Sequence, residues 1–326
     1  MEYVKLGNTG MDVSKIALGC MSFGTTGTGL FPWAMGEEKA RPMIQRALEL
    51  GINYFDTANI YQNGTSEEIT GKILNELADR DEIVVATKVD MKMRPGPNGG
   101  GLSRKAIMGE IDKSLQRLGM DYVDLYQIHR LDPNTSMEEI MEALHDVVKS
   151  GKVRYIGASS MYAWQFLKLQ NIAEKHNWTK FVTMQNHYNL MYREEEREMI
   201  PLCQEEKIGI IPWSPLAAGR LTHAWEAVTE RTKIDDIAKM VYDSTKELDK
   251  IVVERLKEVA VNRGISMAQM ALAWLLQKDY VNAPIVGTRS VQHIEEAVGA
   301  LSIKLTSEEV NALEALYVPH PVLGMM

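Results

Sequence analysis

Cysteine is nearly absent: 326 residues hold only Cys20 and Cys203, with no CxxC pair. Two isolated thiols provide neither a disulfide framework nor a zinc-ligand set, and a reduced, cytoplasmic setting is the expectation. Long apolar runs are also lacking. No stretch reaches the roughly 18 uninterrupted apolar residues of a spanning helix, so no membrane partner is expected. The start MEYVKLGNTG has neither the basic opening nor the apolar run of a secretory signal. Positive charge falls short of negative. The 36 Lys and Arg against 44 Asp and Glu leave a net charge of −8, the wrong sign for a nucleic-acid binder, which displaces counterions with a basic face. One small anionic ligand needs only a local cluster of donors and stays possible. Low-complexity tracts and long charge runs are missing as well, so residues 1–326 read as a single domain.

What is present is a repeating alternation. Hydrophobic residues make up 45% and charged residues 25%, an ordinary balance for a folded enzyme. Short apolar, β-branched runs at 16–19, 52–55, 83–87, 123–127, 155–157, 181–185, 208–212 and 283–286 suit strands buried on both faces, as parallel strands are. Helical patterns separate them. Ser103 opens one with Ile107, Ile111, Leu115 and Leu118 on a stripe and Gly119 as its stop. Thr65/Glu68, Ser136/Glu139, Ser266/Gln269 and Thr306/Glu309 have the spacing of capping boxes. Pro42 falls near the first turn of a helix over 38–50.

Eight strands alternating with helices fit either a doubly wound open sheet or a closed barrel. An open sheet would carry a Gly-rich phosphate loop after an early strand. The segment LGCMSFG lacks that GxGxxG spacing. The expected fold is therefore an α/β (β/α)8 TIM barrel, with an N-terminal β-hairpin (1–14, turning at 8–10) under its bottom end and an extra C-terminal helix near 307–316. Connections 89–102, 186–193 and 214–250 are too long for simple turns and follow strands, at the end where barrel enzymes keep their sites.

That same end collects ionisable residues. Asp56 follows the second strand in YFDTANIYQNG, with Tyr61 five residues on; Lys88 ends the third strand and His129 the fourth. Carbonyl reduction needs a proton donor for the oxygen that gains charge. A phenol of pKa about 10 is a weak donor at neutral pH, and a neighbouring ammonium is expected to lower that value. Lys88 would supply the ammonium, Asp56 would keep it charged, and His129 would orient the substrate oxygen. Each of the four has an ordinary structural role when taken singly; their convergence on one rim makes the case.

These motifs have a family likeness. GMDVSKIALGCMSFG, FDTANIY, ATKV, LGMDYVDLYQIHR, IGASS and PWSPLAAGRL, in that order, resemble the aldo-keto reductases nearly end to end. Through REEEREMIPLC, AWLLQK and the ending PHPV the chain is most like the bacterial YajO-like branch. The resemblance implies a (β/α)8 barrel that binds NADP(H) over its rim and reduces a small carbonyl substrate, with Asp56, Tyr61, Lys88 and His129 as the catalytic tetrad.

It also implies a cofactor site. Ser159, Ser160 or both, with Gln185 and less directly Asn186, match positions beside the nicotinamide carboxamide. Trp213 matches the residue against the ring, and Met21 lies near ring and substrate. Ser214, Pro215, Leu216, Gly219 and Leu221 match the loop around the pyrophosphate, and residues 222–250 a strap over the cofactor from which Arg231 or Lys233 could reach a phosphate. Gly287, Thr288 and Arg289 lead into a helix whose free N–H groups favour an anion. Arg289 is the candidate for the adenosine 2′-phosphate, its fork matching two oxygens, and Glu296 for adenine. His293 and Ala297 stand where many relatives carry Arg or Gln and Asn. For the substrate pocket Trp33, with Phe31 and Pro32, is the candidate wall; residues 91–93 and the tail 318–326 are others. Two further readings are an aldolase-type barrel with Lys88 as Schiff-base nucleophile and an NADPH-binding sensor. The potassium-channel β subunits, similar to this family, commonly carry Asn where this chain has His129.

Overall fold

The computed structural model describes residues 1–27, 29, 31–227 and 233–322. A two-stranded antiparallel hairpin, β1 (Tyr3–Lys5) and β2 (Asp12–Ser14), comes first. Eight parallel strands follow, and each falls on one of the eight apolar runs: β3 (Ala17–Gly19), β4 (Tyr54–Asp56), β5 (Val84–Val89), β6 (Val123–Ile128), β7 (Val153–Ser159), β8 (Phe181–Gln185), β9 (Gly209–Ile210) and β10 (Ile285–Gly287). They lie side by side in chain order from β3 to β9, with β10 beside β3. The two ends of this row meet. Ile210 bridges Val281, Asn282 N–H donates to Ile210 O at 2.9 Å, and Ile285 N–H donates to Pro212 O at 2.8 Å. This is the arrangement of a (β/α)8 barrel.

The strands are buried on both faces, which is why they read as continuous apolar runs rather than alternating ones. All six residues of β5 and all six of β6 are buried. Inside the ring, Ala17, Tyr54, Val84, Ala86, Leu125, Ile211 and Ile285 form one cluster, and Leu6 and Val13 of the hairpin join it. The hairpin thus plugs the bottom. Outside, α1 (Glu37–Glu49), α2 (Thr65–Leu77), α3 (Arg104–Leu118), α4 (Met137–Lys149), α5 (Ala163–His176), α6 (Met199–Glu205), α7 (Asp236–Tyr242), α8 (Lys246–Arg263), α9 (Met267–Leu276), α10 (Val291–Gly299) and α11 (Ser307–Glu314) cover the sheet or its ends. The last is the expected extra helix.

Caps set the helix starts. Ser103 accepts from Ala106 N–H, and Gly119 closes α3 at φ 64°. Ser266/Gln269 and Thr306/Glu309 form reciprocal boxes, while Ser136 accepts from Glu139 N–H. Thr65 departs from expectation: it is the first helical residue of α2, and its hydroxyl donates to Gln62 O instead. Gly64 caps there in its place, at φ 96°. Pro42 lies at the sixth position of α1 rather than in its first turn. Among the described residues no single helix is long and apolar enough to cross a membrane, and no His, Cys, Asp and Glu cluster could hold a metal ion.

Candidate active site

Parallel strands in a ring deliver their C-terminal residues to one rim. Register sets the details: Gly19 pairs with Asp56, Asp56 with Ala86, and Lys88 with Gln127. Lys88 and Gln127 are polar residues of largely apolar strands, and both are fully buried. Lys88 makes an ion pair with Asp56, donates to Thr57 O at 2.8 Å and reaches Tyr61 Oη at 3.4 Å. Asp56 is held from its other side. Gln127 Nε2 and Gln185 Nε2 donate to Asp56 Oδ2 at 3.0 and 2.9 Å, and Gln185 also donates to Gln127 Oε1 at 3.1 Å.

The charges follow from this geometry. Burial opposes the Lys88 ammonium, yet Asp56 and the Tyr61 oxygen together hold its pKa above the ordinary value. For Tyr61, burial raises the pKa and Lys88 pulls it down; burial prevails. The sequence-based expectation of a net lowering is corrected here, because desolvation of a phenolate outweighs one cation that Asp56 already neutralises. Tyr61 therefore holds its proton. Burial and the charges of Lys88 and Arg130 push His129 well below its usual value, so its imidazole is neutral. Its buried Nδ1 has no partner among the described residues. The Tyr61 and His129 rings meet edge to face, centroids 5.8 Å apart.

A cavity of about 980 Å³ opens over these groups. Asp56, Tyr61 and His129 reach it, as do Met21, Ser159, Gln185, Trp213, Ser214, Pro215, Leu216, Gly219, Gly287, Arg289 and Glu296. Lys88 stands behind Tyr61. Trp213 is fixed as part of the wall: its Nε1 donates to Ser160 Oγ at 2.9 Å, and His187 stacks on its ring at 4.2 Å and 12°. Thr222, His223 and, from α7, Ile237, Met240 and Val241 roof the cavity.

Besides Lys88, five expected residues do not line it. Ser160 is buried and its hydroxyl is taken by Trp213. Leu221 turns into the main hydrophobic core, fully buried. Thr288 is buried and bonds its own turn, donating to Ser290 O at 2.7 Å and accepting from Ser290 N–H at 3.2 Å. Trp33 is buried against Phe31, which takes the place in the wall expected of it. Asn186 is likewise buried and bonds Glu195 at 3.4 Å. Of the other suggested walls, Met91 and Val322 line the cavity and residues 323–326 lie outside the described residues, as does Arg231, suggested for a phosphate. In the 214–222 loop the N–H groups of Ala217, Gly219, Arg220, Leu221 and Thr222 already bond within the loop. The N–H groups of Ser214, Leu216 and Ala218 have no such backbone partner among the described residues.

Sequence reasoning missed Gln127 and Arg130, and it gave the 222–250 strap without the helix α7 that lies within it. Gln127 had a signal, a lone amide in the apolar run VDLYQI. Arg130, next to His129, lines the cavity, and nothing in its local sequence says which way its side chain turns.

Residues 15–318 match the model of the aldo/keto reductase family. Among curated proteins the chain is 45% identical to a versiconal hemiacetal acetate reductase of Aspergillus parasiticus, covering 99% of this chain and 98% of that one. It is 41% identical to the aldo-keto reductase AFTS1 of Alternaria alternata and 41% identical to the aldo-keto reductase dtxS3 of Metarhizium robertsii. Each match covers 99% of this chain and 93% of the relative. These fungal relatives carry the family expectation; they do not carry the bacterial YajO-like branch.

Proposed function

The chain belongs to the aldo/keto reductase family, and from that premise we propose that it reduces aldehydes or ketones to alcohols with NADPH, Tyr61 giving the proton. The observation that carries this reading is the chain of contacts from Asp56 through Lys88 to Tyr61, ending in a phenol that faces the cavity beside His129.

The walls fit a nicotinamide dinucleotide phosphate. Trp213 offers a flat face, Ser159 and Gln185 lie beside it, and the three unspent N–H groups of the 214–218 loop suit phosphate oxygens. Arg289, exposed at the start of α10, suits a 2′-phosphate, and Glu296 the adenine. When bound, the reduced cofactor supplies the hydride. The protein's own groups handle the proton. Tyr61 Oη donates to the carbonyl oxygen as charge grows there, the neutral His129 orients that oxygen, and the Lys88 ammonium stabilises the phenolate left behind. Asp56, locked by two glutamines, keeps the ammonium charged. Apolar walls at Met21, Phe31 and Ile60 exclude water and strengthen each of these interactions.

The raised pKa of Lys88 speaks against the Schiff-base reading, since an amine nucleophile must be neutral. Retention of His129 beside Tyr61 favours an enzyme over a sensor. Two buried, unpaired thiols agree with a reduced cytoplasmic setting. An NADPH-oxidation screen over aldehydes, ketones, aldoses and sugar phosphates tests the reading. Turnover with alcohol as product supports it; tight NADPH binding without turnover on any of them overturns it in favour of the sensor.

A further inference from the structure

Arg130 follows His129 at the end of β6 and lines the same cavity. One end of its guanidinium is tied down, Nη1 donating to His129 O at 2.6 Å and to Ser159 Oγ at 3.4 Å. The rest is unspent. Nε is buried with no acceptor, Nη2 has none, and no carboxylate lies within ion-pair reach among the described residues. Its cation stands 5.9 Å from the centre of the Trp213 ring.

An arginine does not escape this situation by losing its charge. A partly buried, unpaired cation is costly, and a buried donor without an acceptor adds to that cost. The acids nearby do not relieve it. Asp56 is committed to Lys88. Asp90 acts on Arg130 only from beyond contact, and burial, with Asp132, pushes its carboxyl up to about 7. Arg130 also lies at the reacting end of the cavity rather than at the phosphate-binding end, since its charge bears on both Tyr61 and His129.

We propose that Arg130 selects the substrate: it receives a carboxylate, carried a few atoms from the carbonyl that is reduced. The inference rests on the reductase reading for the identity of that carbonyl. A carboxylate completes the donor set of the guanidinium and supplies its missing counter-charge. Between Met21, Phe31, Ile60 and Met91 the pair forms in an apolar setting, where a neutral group in its place leaves the cation unpaired.

The test compares 2-, 3- and 4-carboxybenzaldehyde with the corresponding methylbenzaldehydes, and benzoate with benzyl alcohol as bound probes. In the native protein kcat/KM for the best carboxylated isomer exceeds its methyl partner by about tenfold or more, chiefly through KM. Arg130→Met brings that ratio near one, and Arg130→Lys retains part of it. Calorimetry on protein saturated with NADP+ shows benzoate at least about tenfold tighter than benzyl alcohol, a difference that Arg130→Met removes. A native ratio near one overturns the proposal. So does a ratio preserved in Arg130→Met, or a loss confined to NADPH affinity. If no aldehyde is reduced while benzoate binding still depends on Arg130, the reductase reading fails and the anion subsite stands.

Discussion

Gln185 Nε2 donates to Asp56 Oδ2 at 2.9 Å across 129 positions of the chain. With Gln127 on the same oxygen and Lys88 on the other, the carboxylate has no free direction in which to turn. A buried charge is thereby held at one point behind the tyrosine that faces the cavity.

Removing that carboxylate strands the Lys88 ammonium. Asp56→Ala is expected to cost about 3–5 kcal/mol of stability, read from urea unfolding. The double variant Asp56→Ala/Lys88→Met should recover much of the loss. A double variant no more stable than the single one would show that stranded charge is not the cause.

Tyr61→Phe deletes the proton donor and keeps the ring against Phe31 and His129. Turnover of a reactive aldehyde should fall by roughly 10²–10⁴-fold, with NADPH affinity by fluorescence titration little changed. Undiminished turnover would assign the proton to another group.

Arg289→Ala should weaken NADPH by about tenfold or more and leave NADH nearly untouched, because only the former carries the phosphate its fork would bind. Titration of both cofactors decides it. Equal weakening of the two would remove Arg289 from that role.

His187 is stacked between Tyr192 and Trp213, its Nε2 at 2.9 Å from Tyr242 Oη, and burial presses its pKa from 6.5 down to about 3. A base with a depressed native pKa is protonated first in the unfolded chain. Its contribution to stability is present above about 6.5 and is lost as pH falls toward 3, by up to about 1.4 kcal/mol per pH unit. His187→Phe keeps the stack and removes the titration. Urea midpoints at pH 7, 6 and 5 should therefore converge between native and variant as acid is added. Parallel curves would show that His187 is not what titrates.

Much of the fold was legible because buried parallel strands leave an unmistakable apolar pattern, and each run from 16–19 to 283–286 carries its strand. Capping was legible where side chain and backbone lie three residues apart, as at Ser266/Gln269. It was misread at Thr65, where Gln62 and Asn63 take positive φ and shift the helix start by one residue. The site was legible at the strand ends and much less so in the loops. Leu221 looked like a phosphate-loop residue and is core; Trp33 looked like pocket wall and lies behind Phe31.

The sequence by itself determined that eight strands end at one rim and that Asp56, Lys88 and His129 stand at the ends of neighbouring ones, because strand order and residue position are local properties of the chain. Only the tertiary structure decided which side chains face the cavity. Ser160 is spent on Trp213, Thr288 on its own turn, and Gln127 on Asp56, while Arg130 keeps unspent donors. Those outcomes depend on hydrogen bonds between segments far apart in the chain and on which partner reaches a polar group first, and no local pattern records that competition.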